Sequence, residues 1–117
     1  LLDLVTISAQ RELVLLVRGM VERLMLEENT PVTLGRTDMK SRTIPDVDLT
    51  PYGALDRGVS REHATLQIVG SRILVTDLGS TNGTFVAGLR LPPQTPTQLQ
   101  KGDELMLGRL AIQVLFR

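Results

Sequence analysis

The chain has 117 residues, 42% of them hydrophobic, which is enough for one domain with a buried core. Thirteen Lys and Arg residues balance thirteen Asp and Glu residues, so no bulk positive charge is available to hold a nucleic acid or an acidic membrane. With no cysteine, the sequence offers neither a disulfide nor a thiolate metal site, and a single histidine, His63, disfavours a zinc site.

Residues 1–10 are predicted to be an N-terminal extension or linker, and residues 11–117 the folded domain. The apolar residues at the start are few, are interrupted by Asp3, and lack the basic leader and cleavage site of a signal peptide. No apolar run approaches the length that spans a membrane. Because the sequence starts at Leu1 rather than Met, we expect it to be part of a larger protein.

Residues 11–29 can be interpreted in two ways. Their apolar residues form a helical stripe: Leu13, Leu16, Val17, Met20, Val21, Leu24 and Met25. However, Arg18-Gly19 divides the segment into two apolar runs of strand length. Glycine inside a helix costs about 1 kcal/mol relative to alanine. We therefore favour a β-hairpin that turns at Arg18-Gly19.

Two irregular connections interrupt the predicted strands. Residues 36–58 contain Pro45, Pro51 and Gly53, with a possible short strand at residues 46–49. Loops of this length are usually functional or mobile. The second connection contains Pro92, Pro93 and Pro96.

From residue 64 onward, apolar and polar residues alternate with a period of two. Three hairpins are predicted around glycine turns: residues 64–68 and 73–76 around Gly70-Ser71, 84–86 and 89–91 around Ala87-Gly88, and 104–107 and 111–116 around Gly108-Arg109. Short strands at close and regular spacing are typical of an all-β sandwich.

Three polar clusters lie in loops between these strands. They are Gly35-Arg36, Ser60-Arg61-Glu62-His63 and Ser80-Thr81-Asn82-Gly83-Thr84. The planar guanidinium of Arg36 can hold two oxygens of a phosphate, a geometry that lysine does not reproduce. A serine hydroxyl can donate to a third oxygen, and a carboxamide both donates and accepts. Together the clusters indicate a binding site for a phosphorylated peptide.

The order of these motifs resembles that of a forkhead-associated (FHA) domain. The resemblance rests on Gly35-Arg36, Ser60-x-x-His63 and Asn82-Gly83, supported by Asp77-Leu78-Gly79 and a Gly102-Asp103 turn, and it extends from about Val14 to the C-terminus. It implies a β-sandwich of about eleven strands in two sheets, with phosphothreonine peptides bound on loops at one end.

The resemblance also assigns roles to individual residues. Arg36, Ser60 and Asn82 match the positions that bind the phosphopeptide, while Arg61 and Thr81 match positions that often assist. The site residues predicted to support the loops are Gly35, His63, Asp77 and Gly83. His63 is expected to shape the Ser60 turn by hydrogen bonds and not to contact phosphate.

Peptide preference is expected to depend on residues beside the phosphate site. The candidates are Asp56, Arg57, Gly58 and Ala87. The sequence differs from the usual pattern of the family in the long segment between Arg36 and Ser60. Within it, Tyr52 is the only tyrosine of the chain, and we expect it to pack over or beside the ligand-binding face. Asp48 is assigned only to loop polarity.

Three other functions match parts of the sequence. A catalytic triad of Ser60, His63 and Asp77 is disfavoured because no G-x-S-x-G elbow surrounds the serine. Residues 77–82 resemble the phosphate loop of actin-like and Hsp70-like ATPases, but those folds need several hundred residues. A phosphate-independent interaction module on the same fold remains the second interpretation.

The sequence thus predicts a non-catalytic phosphothreonine-peptide-binding module of a larger cytoplasmic signalling protein. Its partner would be a threonine-phosphorylated protein, either a separate molecule or a segment of its own full-length chain. No cofactor, metal, nucleic acid or membrane partner is expected, and the domain is expected to be monomeric.

Overall fold

The computed structural model describes residues 10–116, which form eleven β-strands and one turn of 3-10 helix at Thr50–Tyr52. The strands are β1 (Gln10–Val17), β2 (Met20–Glu27), β3 (Val32–Gly35), β4 (Val47–Asp48), β5 (Glu62–Val69), β6 (Arg72–Asp77), β7 (Thr84–Val86), β8 (Leu89–Arg90), β9 (Thr97–Leu99), β10 (Glu104–Leu107) and β11 (Leu110–Leu115).

The strands form two sheets. One has six strands in the order β2-β1-β11-β10-β7-β8, and the other has five in the order β4-β3-β5-β6-β9. Neighbouring strands of the described chain are antiparallel, apart from the short parallel pair β3-β4. The prediction of an all-β sandwich of about eleven strands is therefore confirmed.

The core lies between the sheets and is filled by alternate residues of each strand. In β11 the buried residues are Leu110, Ile112 and Val114, and the residues between them are exposed. Strand β5 likewise buries Leu66 and Ile68. Alternation with a period of two places one face of each sheet against the other and the second face in solvent.

The N-terminal segment is a hairpin, as favoured from the sequence. Strands β1 and β2 pair from Gln10 opposite Glu27 to Val17 opposite Met20. Arg18 and Gly19, with φ angles of 51° and 79°, form the tight turn between them. Residues 1–9 of the predicted extension lie outside the described residues, and β1 begins at Gln10.

The proline-containing connection after β8 contains an element that the sequence did not reveal. Thr97–Leu99 forms β9, which pairs with β6 and buries Leu99. It has three residues directly after Pro96, too few to establish a visible alternation. Asp46–Leu49, predicted as a short strand, contains β4 at Val47–Asp48.

The prediction for Tyr52 needs correction, because its side chain is buried instead of lying over the ligand-binding face. Its exposure is 6%, and its hydroxyl donates a hydrogen bond to Glu22 of β2. This bond, together with burial and the negative charge of Glu22, raises the pKa of Tyr52 to about 12. Arg18 Nη1 donates to the Tyr52 carbonyl over 3.4 Å. Tyr52 therefore anchors the long connection to the β1-β2 hairpin.

Several loops come together at one end of the sandwich. They connect β3 to β4, β4 to β5, β6 to β7 and β10 to β11. Gly108 N–H donates to the Gly83 carbonyl over 2.9 Å, and Arg109 N–H donates to the Arg57 carbonyl over 2.8 Å. The β10-β11 turn thus joins the loops that contain two of the polar clusters.

Candidate functional site

The first cluster is positioned by a close approach of β3 to β5. A Cβ atom on Gly35 would lie 1.8 Å from the Arg61 carbonyl oxygen, so only glycine fits there. Arg36 N–H donates to that same oxygen over 3.1 Å. The Arg36 side chain donates from Nε to the Val59 carbonyl over 2.7 Å. Within the described residues Nη1 and Nη2 make no hydrogen bond, so they can bind an anion.

Ser60 lies at the start of the second cluster and is half-buried. Its N–H donates to His63 Nδ1 over 2.9 Å. Its hydroxyl oxygen accepts a long hydrogen bond of 3.4 Å from Thr81 N–H, which connects the second cluster to the third. Because the oxygen is used as an acceptor, the hydroxyl hydrogen can be donated to a phosphate oxygen.

His63 is fully buried at the beginning of β5. Nδ1 accepts from Ser60 N–H, so the ring hydrogen resides on Nε2 and is donated to the Gly83 carbonyl over 2.9 Å. Burial lowers the pKa of His63 below its ordinary 6.5, although the Gly83 bond and the charge of Asp77 oppose the shift. A neutral imidazole therefore joins the Ser60 loop to the Asn82-Gly83 loop.

Asp77 organises the loop between β6 and β7. Its carboxylate accepts from the N–H groups of Gly79 and Ser80, over 3.0 and 3.1 Å, and from the hydroxyls of Ser80 and Thr84, over 2.6 and 2.7 Å. Burial alone would raise the pKa of Asp77, but these four hydrogen bonds outweigh it and lower the pKa. The carboxylate is thus ionised and its oxygens are used within the loop.

Asn82 is exposed, and its side chain is directed toward the loop between β4 and β5. Nδ2 donates to the Gly58 carbonyl over 3.0 Å. A Cβ on Gly58, whose φ is 78°, would lie 2.6 Å from that nitrogen. Among the described residues the Asn82 amide oxygen has no donor, so it can accept a hydrogen bond from the N–H of a bound peptide.

Arg61 is exposed and already has a partner. Its Nη1 lies 3.2 Å from Asp38 Oδ2 in the loop between β3 and β4. Arg61 also lines a shallow cavity of about 270 Å³ together with Thr43, Ser60 and Glu62. The residue is therefore next to Ser60, but its charge is partly neutralised.

Asp48 has a structural role that sequence reasoning missed. Its Oδ1 accepts from the N–H groups of Thr37 and Thr50, over 3.1 and 3.0 Å, and from the Thr50 hydroxyl, over 2.6 Å. Its Oδ2 accepts from the Thr37 hydroxyl over 2.7 Å. Asp48 fixes the loop that follows Arg36. The signal in the sequence was the Asp-x-Thr spacing of Asp48 and Thr50, which is common in Asx turns.

The residues considered for peptide preference are only partly brought to the site. The carbonyls of Asp56 and Arg57 accept from Arg109, over 2.5 and 2.8 Å, and Gly58 contacts Asn82. Ala87 is different, since its N–H donates to Glu104 O, at the end of β10 farther from Gly108. The structure does not place Ala87 in the cluster.

The geometry does not form a triad from Ser60, His63 and Asp77. Both ring nitrogens of His63 are bonded to backbone groups, and Asp77 is bonded within its own loop. Between residues 10 and 116, no group of three or more His, Cys, Asp or Glu side chains is placed to hold a metal ion. Over the same range, no helix is long and apolar enough to cross a lipid bilayer.

Comparisons with known proteins agree with this architecture. Residues 32–108 match the family model of the FHA domain. The chain is 34% identical to FhaB of Mycobacterium tuberculosis over 92 residues, which cover 79% of the chain and 51% of FhaB. It is 38% identical to protein FraH of a Nostoc species over 68 residues, which cover 58% of the chain and 23% of FraH. The chain thus spans about half or less of these two relatives.

A solved FHA domain from a study of phosphothreonine-dependent FHA interactions shows the same similarity in three dimensions. It superimposes with a TM-score of 0.69 and 29% identity, over 91% of this chain and 97% of that one. The family model covers residues from β3 to Gly108, and therefore all three polar clusters. The chain belongs to the FHA-domain family.

Proposed function

We propose that this domain binds phosphothreonine-containing peptides through Arg36 and Ser60, assisted by Arg61 and Thr81, with Asn82 holding the peptide backbone. The observation that carries the proposal is the hydrogen-bonding capacity that remains on these loops. Arg36 keeps two terminal nitrogens without partners in the described chain, and Ser60 keeps a hydroxyl hydrogen. A phosphate has three acceptor oxygens that match these donors.

Two features support this assignment beyond the donors themselves. The backbone around Arg36 and Ser60 is fixed by the Gly35 contact and by His63, so little loop ordering has to accompany binding. The solved FHA domain with 29% identity comes from work on phosphothreonine-dependent interactions. Hydrogen bonds to charged groups contribute about 1.5–3 kcal/mol each. Three or four of them, reduced by solvent at an open site, correspond to roughly micromolar affinity.

The wider role follows from the ligand. A domain that binds phosphothreonine acts where protein kinases phosphorylate their substrates, so we place it in the cytoplasm. We propose that it is a non-catalytic, monomeric module of a larger signalling protein. Its partner is a threonine-phosphorylated protein or a phosphorylated segment of its own full-length chain. We propose no nucleic-acid or membrane partner, because the positive and negative charges of the chain balance.

The proposal is tested by titrating the domain with one peptide library in three forms: phosphothreonine, phosphoserine and unphosphorylated. We expect binding to require phosphate and to favour phosphothreonine. Arg36→Ala removes two charge-assisted hydrogen bonds and should weaken binding about 100-fold, after allowance for solvent. Arg72→Ala, which changes an exposed arginine at the start of β6, is the matched control and should leave affinity unchanged. Equal binding of all three forms would refute the proposal and favour the phosphate-independent module.

A further inference from the structure

The carboxylate of Asp38 lies beside the proposed phosphate site. Asp38 Oδ2 is 3.2 Å from Nη1 of Arg61, the residue directly after Ser60. The Asp38 side chain is 24% exposed and that of Arg61 is 51% exposed. The carboxylate therefore neutralises one of the cations that would otherwise be available to the ligand.

The Asp38 carboxylate is held in this position by its own loop. Oδ1 accepts from Lys40 N–H over 3.2 Å, and Oδ2 accepts from the Ser41 hydroxyl over 2.9 Å. The backbones of Asp38 and Thr43 exchange two hydrogen bonds, over 3.0 and 3.1 Å, which close the loop. Chiefly through the Ser41 bond, the pKa of Asp38 is lowered from its ordinary 3.8, so the group is ionised at neutral pH.

We propose that Asp38 is an affinity-determining residue that competes with the ligand phosphate for the Arg61 guanidinium. This inference rests on the proposed function. Arg61 Nη1 donates to the carboxylate in the ligand-free domain, and a phosphate bound by Arg36 and Ser60 would draw Arg61 away from it. The Asp38-Arg61 pair must then be broken or shared. The loss of this ion pair offsets part of the attraction between Arg61 and phosphate.

The structure favours competition over a supporting role for Asp38. The Arg61 backbone is held independently, since its carbonyl accepts from Arg36 N–H and packs against Gly35. The Asp38 contact is made only to the end of the Arg61 side chain. Removing that contact therefore frees the guanidinium and leaves the β3-β5 junction in place.

The test is a double-mutant cycle with Asp38→Asn and Arg61→Ala, measured by titration with the phosphothreonine peptide selected above. Asparagine keeps a carbonyl oxygen for Lys40 N–H and can donate to the Ser41 hydroxyl, so the loop should be retained. Exposed ion pairs are weak, so freeing Arg61 should raise affinity by about two- to fivefold. Glu28→Gln, which removes one negative charge beside Gly70 at the other end of β5, should leave affinity unchanged.

Comparing Asp38→Asn in the wild-type and Arg61→Ala domains distinguishes competition for Arg61 from direct repulsion of phosphate by Asp38. We expect Asp38→Asn to raise affinity when Arg61 is present and to have no effect in the Arg61→Ala background. An equal gain in both backgrounds would indicate direct repulsion of phosphate and overturn the competition. Unchanged or weaker binding of Asp38→Asn would also overturn it while leaving the proposed function intact. If the wild-type domain binds no phosphothreonine peptide, the proposed function fails and this inference fails with it.

Discussion

Replacement of His63 by alanine tests whether the Ser60 loop and the Asn82-Gly83 loop both depend on this one buried side chain. The substitution removes the acceptor of Ser60 N–H and the donor to the Gly83 carbonyl. A buried polar group that loses its partner costs about 1–3 kcal/mol. The Ser60 bond is only partly buried, so water can replace part of what is lost there. We therefore expect a decrease of about 2–4 kcal/mol in the free energy of unfolding.

The measurement is urea-induced unfolding of the ligand-free domain, followed by titration with the phosphothreonine peptide. Gln67→Ala is a matched control, because Gln67 lies on the same strand and makes no side-chain hydrogen bond within the described chain. His63→Ala should lower the urea concentration at the midpoint of unfolding, with little change in the slope of unfolding free energy against urea. The control should lower the midpoint far less. Binding should also weaken, since Ser60 and the Asn82-Gly83 loop lose the connection that His63 makes between them. A decrease below about 1 kcal/mol would refute the reasoning.

Two further predictions concern pH and Tyr52. The pKa of His63 is lowered by burial in the folded state, so the unfolded chain binds the proton more readily, and stability should fall as the pH is decreased below about 6.5. This dependence can be checked from the urea midpoints of the ligand-free domain between about pH 8 and pH 5, a range that includes the ordinary histidine pKa. Constant midpoints would contradict the prediction. Tyr52→Phe removes the hydroxyl that donates to Glu22 and should destabilise the domain by about 1 kcal/mol, measured in the same way. Because the ring is buried, affinity for the phosphothreonine peptide should be unchanged, and a clear loss of affinity would show that Tyr52 acts at the binding face.

The strands were predictable because their signal is local. Alternation in β11 and the glycine turns around Gly70 and Gly108 depend on neighbours a few residues away. The same is true of the β1-β2 hairpin, where Gly19 decided against a helix. Strand β9 was missed because three residues after a proline give no periodicity.

Contacts between distant loops were not predictable in the same way. The Arg61-Asp38 pair and the Asn82-Gly58 bond join residues that are 23 and 24 positions apart. Their formation depends on the path of each loop, which propensities do not specify. Tyr52 shows the same limit, since an aromatic ring with a hydroxyl can face either solvent or the core, and its partner Glu22 in β2 is 30 positions away.

The polar residues of the site divide into two groups by the use that the domain makes of their hydrogen bonds. His63 and Asp77 use their ring nitrogens and carboxylate oxygens within the domain, and their partners fix the loops. Arg36, Ser60 and Asn82 each use part of their capacity for the same purpose and retain the rest: two guanidinium nitrogens, a hydroxyl hydrogen and an amide oxygen. Since the same side chains are both fixed and incomplete, their free groups are held in position before a ligand arrives. Binding specificity should therefore depend on the second group, while changes in the first group should lower stability and affinity together.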